Sequence, residues 1–220
     1  MTKNKWVLMA ITSAIILATM GFGVSQYDAL PAMMVTHWGI DNQPNGWMPK
    51  AMAVFGIPLI MLAAHWFTMG VTYLADVQGK GAPRLERVLV WFFPAMTLVL
   101  YTVTIRYALH QPVNIRLWAM VVISAAFIVI GNYLPTAPLD SSKTGWVGFG
   151  YHVPWTINNQ AGVLKSARVL GYVMVAGGIL ILATLLLPPV ASAVALGIVV
   201  AAIIVTMPLS YVWTSRPANK

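Results

Sequence analysis

The chain has 220 residues, of which 59% are hydrophobic and 8% charged, with a mean hydropathy of +0.78 and a formal charge of +8. A soluble domain carries about a quarter charged residues, so this composition excludes one and points to a chain that lives in lipid. The lack of cysteine excludes a disulfide framework and a thiolate metal site.

A helix rises about 1.5 Å per residue, so crossing a roughly 30 Å hydrocarbon core takes about 20 apolar residues. Six runs meet that need. The first, residues 6–24, follows Lys3 and Lys5. It is longer than a secretory signal core and no small-residue cleavage pattern follows it, so it reads as a span. Next comes a loop, QYDALPAMMVTHWGIDNQPNGWMPK at 26–50, rich in turn formers (Pro44, Asn45-Gly46, Pro49) and carrying Trp38 and Trp47, whose rings favour headgroup depth. The pattern predicts an ordered cap on the bilayer.

The second run, 51–74, holds His65 near its middle, and a polar turn, DVQGKGAPRLER, leads to the third, 88–105. A short turn at 110–114 predicts a tight hairpin with the fourth run, 117–133. A long loop, 134–168, contains GYHVPWTINN at 150–159, where Trp155 suits an interfacial turn, Pro154 restrains the backbone and Thr156 is placed to cap a helix. The fifth run, 169–187, meets the sixth, 190–209, through Pro188-Pro189. Ala193, Gly197 and Ala201 recur every four residues on the sixth, a small-residue face for close helix packing. Isolated strands leave backbone groups unpaired in hydrocarbon, and the alternation of a barrel is absent. The expected fold is therefore all-α, an integral membrane bundle of six transmembrane helices.

Charge sets the expected orientation. Lys3, Lys5, Lys80, Arg84, Arg87, Lys143, Lys165, Arg168, Arg216 and Lys220 fall on one side, and only Lys50, Arg106 and Arg116 on the other. Such a bias in short loops places both termini in the cytoplasm and the 26–50 loop outside. The positive charge thus reads as orientation, and no loop carries the clustered basic face that direct nucleic-acid binding needs.

Few residues suggest chemistry. An ionisable group mid-span is costly when charged, so His65 is an intramembrane candidate. Its plain reading is a neutral imidazole hydrogen-bonded to a threonine, tyrosine or carbonyl of another helix; the sharper one is a proton or ligand site. His37 and Asp41 stand four apart, close to Lys50, and would meet in a helical turn. Metal binding needs three or four ligands, and with Asp28 the loop falls short, so neither a metal nor a cofactor is expected. HExxH, GxSxG and the P-loop are absent, which argues against an enzyme and leaves no catalytic residue to name.

Two stretches resemble a known family. The outer loop, with Leu30, Pro31, His37, Trp38, Trp47 and Lys50 on an L-P-x5-H-W then W-x-x-K pattern, resembles the short module that often opens bacterial SdpI-type membrane proteins; Val35 stands where proline is usual and Asn42 where glycine is usual. The second stretch is similar to the SdpI signature, with Gly131, Asn132, Tyr133, Leu134, Pro135, Gly150, Pro154, Trp155, Thr156, Arg168 and Gly171 matching, while His152, Val163 and Ala167 replace its arginine, tryptophan and histidine. The resemblance divides the chain into a two-span module at 1–76, a four-span module at 87–213 and a cytoplasmic tail at 214–220.

It implies an immunity protein of the bacterial plasma membrane that protects its producer against a secreted, membrane-active peptide toxin. Some members of the family also act as sensors that hold a cytoplasmic repressor at the membrane. His37, Trp38, Asp41, Trp47 and Lys50 would then bind the toxin or scaffold the loop. A small transporter or channel using His65 is the alternative, and a structural partner of another membrane complex the third.

Overall fold

The computed structural model describes residues 3–39, 41–79, 81–137 and 160–215. Six long helices run in order: α1 (Lys3–Ser25), α2 (Ile57–Val77), α3 (Pro83–Ala108), α4 (Ile115–Tyr133), α5 (Gln160–Ala183) and α6 (Pro189–Ser215). With their flanking turns, all six are long and apolar enough to cross a membrane, which suggests a multi-pass membrane protein. Phe67, Ile60 and Tyr172 lie exposed on these helices, whereas Thr12, Ser13, Thr97, Ser124, Ser166 and Thr206 are buried. Apolar side chains facing outward and small hydroxyl residues facing inward suit a lipid solvent, because hydrocarbon gives an apolar side chain no reason to turn inside. The buried hydroxyls of Thr97, Ser166 and Thr206 are satisfied by carbonyls three or four residues back, at 2.7, 2.8 and 2.6 Å.

The all-α expectation is corrected at one place. Strands β1 (Met33–Trp38) and β2 (Pro44–Pro49) form an antiparallel hairpin. Asn45-Gly46, read from the sequence as a turn, lies inside β2; the chain instead reverses where Gly39 N–H meets Gln43 O and Asn42 N–H meets Gly39 O, with Asn42 at φ 63°. Asparagine enters the left-handed region more readily than most residues, which suits it to this position. The helix starting at Gln160 is the second difference, since Lys165 and Arg168 were expected in a loop. Both are exposed, so their charges interrupt the apolar run without interrupting the helix.

The chain packs as two compact units. The first comprises residues 1–69, 89–122 and 188–190, the second residues 70–88, 123–187 and 191–220. In the first, the core lies beneath the hairpin: Leu30 and Met34 pack with Ala53 and Val54 before α2 and with Tyr101, Ile105 and Ala108 of α3. A π-helical turn, Met52–Gly56, opens the second span. The α-helical donor for the Val54 carbonyl would be residue 58, a proline with no N–H. The Tyr101 hydroxyl fills that role, donating to Val54 O at 3.1 Å. Gly23 of α1 makes room for it, since a Cβ there would overlap the hydroxyl.

In the second unit, glycines let helices approach. A Cβ at Gly131 of α4 would lie 2.8 Å from Gly171 O of α5, and one at Gly171 would lie 2.5 Å from Gly131 O. Farther along the same pair, a Cβ at Gly178 would lie 2.8 Å from Ser124 O. Between α5 and α6, the Thr184 hydroxyl lies 3.2 Å from Ser192 Oγ and 2.7 Å from Ile181 O, fastening the proline turn.

Candidate functional site

The residues proposed from the outer loop converge on the hairpin, each in a distinct role. Cross-strand partners Met33 and Pro49, and Val35 and Trp47, share one face. Met33 is 51% and Trp47 55% exposed, so this face is apolar and open. Met34, paired with Met48, points the other way and is fully buried in the core.

The register shifts twice, leaving Thr36 and Asn45 without Cα partners. Two opposed bulges of this kind restore the register and re-aim the side chains near the tip. They bring His37 Nδ1 to 2.5 Å from Asn45 Oδ1. The helical turn in which His37 and Asp41 could have met does not form, because His37 lies in the extended β1. Asp41 Oδ1 instead accepts the Gln43 N–H at 3.1 Å, an Asx turn that shapes the tip.

Lys50 fastens the base. Its ammonium donates to Tyr27 O at 3.0 Å and Leu30 O at 3.4 Å and lies 4.4 Å from the centre of the Tyr27 ring. Carbonyl and cation–π contacts account for this charge without a carboxylate. Trp38 packs at 90° against Tyr107 of α3, ring centres 5.2 Å apart, and its indole N–H is buried with no hydrogen-bond partner among the described residues.

His65 is fully buried, its Nε2 2.8 Å from Thr12 Oγ1. Thr12 Oγ1 also lies 2.9 Å from Leu8 O and 3.1 Å from Met9 O, so the hydroxyl links the imidazole to the backbone of α1. The imidazole Nδ1 has no hydrogen-bond partner among the described residues. The next residues repeat the link: Trp66 Nε1 donates to Ser13 Oγ at 2.9 Å. Phe93 of α3 closes one side, with ring centres 6.4 Å apart. Among the described residues, no three histidine, aspartate or glutamate side chains gather where they could hold a metal ion.

Of the second resembling stretch, Gly131 packs against Gly171, and Pro135 flanks the same contact. Tyr133 O accepts from Thr136 Oγ1 at 2.7 Å. Asn132 and Arg168 are exposed. Gly150, Pro154, Trp155 and Thr156 lie outside the described residues. Thr12 is the threonine of another helix that the plain reading of His65 asked for, whereas reading the sequence missed the roles of Tyr101, Asn45 and Tyr107. Only Tyr101 left a trace there, as Pro58 standing four residues beyond a carbonyl that would need a donor.

A family described as "Domain of unknown function (DUF1648)" matches residues 14–62, from within α1 through the hairpin to the first turns of α2. No curated protein matches the chain. No solved structure matches it either.

Proposed function

We propose that the chain is an immunity protein of the bacterial plasma membrane, with both termini in the cytoplasm, that intercepts a secreted membrane-active peptide toxin at its outer hairpin. The observation that carries the reading is the open apolar face of Met33, Val35, Trp47 and Pro49 on a cap fastened from below by Met34 and Lys50. A rigid cap of this kind offers a hydrophobic peptide a binding face with little ordering cost. Methionine and tryptophan add adaptable and large contact area. The resemblance of residues 30–50 and 131–171 to SdpI-type proteins supports the same reading and extends it to a sensor that holds a repressor at the cytoplasmic face, with no direct contact to nucleic acid.

The test is survival of a toxin-sensitive bacterium expressing the chain. Protection is expected against at least one peptide that a related immunity protein blocks. Trp47→Ala with Met33→Ala should lower it about tenfold or more while membrane levels hold, since both side chains point away from the core. Full protection by the double variant would show that the face is scaffold.

A small transporter gated by His65 is the second reading, supported by the buried imidazole whose Nδ1 has no hydrogen-bond partner among the described residues. His65→Leu separates the two: it should spare protection and abolish any solute or proton flux.

A further inference from the structure

The open side of α5 carries two cations at the head of an otherwise apolar stripe. Lys165 and Arg168 stand three residues apart on the helix and Tyr172 follows after four more, so the three share one face. All three are exposed, Tyr172 at 71%, and the stripe continues through exposed Ala176 and Ile179. Residues 169–186 are uncharged and, at about 1.5 Å each, cover most of a roughly 30 Å hydrocarbon core. The cations therefore stand at its edge, at headgroup depth. Trp213, near the end of α6, marks the same level, since the Lys165 ammonium lies 5.1 Å from the centre of its ring. That contact holds the ammonium from one side without neutralising it. Arg168 makes no hydrogen bond or ion pair with the other described residues. Positive charge above an apolar track matches an amphiphile with an anionic head and acyl tails.

We propose that Lys165 and Arg168 bind the phosphate of an anionic phospholipid whose acyl chains lie along Tyr172, Ala176 and Ile179. The guanidinium supplies paired N–H donors, and the ammonium, steadied by Trp213, a compact charge with donors of its own. Both side chains are already open, so the headgroup docks without any movement of the helices. The site belongs to the second unit, apart from the hairpin, and does not depend on toxin binding.

The test uses the full chain purified in detergent, with phosphatidylglycerol and phosphatidylcholine of the same acyl chains and inorganic phosphate as probes. Retained lipid is measured by native mass spectrometry and stability by thermal unfolding. The wild type should retain phosphatidylglycerol in preference to phosphatidylcholine and gain thermal stability from it. Lys165→Gln with Arg168→Gln should weaken phosphatidylglycerol retention about tenfold or more and leave phosphatidylcholine retention unchanged. Arg168→Gln alone should unfold, free of lipid, at the same midpoint as the wild type. Equal retention of phosphatidylglycerol by the double variant and the wild type overturns the site, whatever happens to toxin protection. A lower lipid-free midpoint for Arg168→Gln also overturns it, because the guanidinium would then be held by the protein itself. Stabilisation by inorganic phosphate as large as that by the lipid overturns the assignment to the bilayer.

Discussion

Gly46 faces His37 across the hairpin, and a Cβ at position 46 would sit 2.8 Å from the Cβ of His37. Both are strand positions, so neither can move without disturbing the bulges that join His37 to Asn45. Gly46→Ala should therefore cost about 1–3 kcal/mol, read as a lower thermal midpoint in detergent. Gly197→Ala is the control: the close packing expected at the Ala193, Gly197 and Ala201 face is not made there, since Gly197 and Ala201 are exposed and nothing lies within 4 Å of a Cβ at 197 among the described residues, and alanine favours a helix by about 1 kcal/mol. His110 presents the opposite case. The end of α3 is closed by Gln111 N–H to Arg106 O and His110 N–H to Tyr107 O, both at 3.0 Å, with His110 at φ 55°. This is the position of a helix C-terminus where glycine is commonest, and the histidine side chain strains it. His110→Gly should stabilise the protein by about 1 kcal/mol, measured the same way.

Between elements, polar links hold the first three helices. Thr12→Val removes a partner from a fully buried imidazole and should cost about 1–3 kcal/mol, whereas Thr12→Val with His65→Leu should recover most of that loss. A double-mutant cycle in detergent checks this, and additive losses would mean that the two side chains act separately. Tyr101→Phe leaves the Val54 carbonyl without a donor beside Pro58. It should accelerate amide hydrogen exchange across residues 52–57 and lower stability by about 1–3 kcal/mol. In the second unit, Gly131→Ala or Gly171→Ala would press a methyl against a backbone carbonyl, which cannot rotate aside, so α4 and α5 must separate. Either change should cost more than Gly46→Ala.

At the scale of the whole molecule, orientation is the open quantity, and a chain without cysteine lends itself to single-cysteine labelling without background. Asn45→Cys should react with an impermeant reagent from outside intact cells, and Gln78→Cys only after lysis. The reverse result inverts the membrane sidedness and removes the outer-toxin reading with it.

Reading the sequence located every span to within about six residues except at the start of α5, where Lys165 and Arg168 hid nine helical residues. Of the candidate site, it picked out the hairpin residues and His65 but mispaired His37 with Asp41, because a spacing of four is informative only if the segment is helical. By itself the sequence determined the solvent and the number of helices suited to cross it, since hydropathy and length are local properties that a bilayer reads residue by residue. Only the tertiary structure decided that His65 meets Thr12 across 53 residues, that Tyr101 serves Val54, and that the Trp38 indole packs edge-on against Tyr107. Those outcomes depend on which helix faces lie together and how far a bulge turns a strand, and no local pattern encodes either.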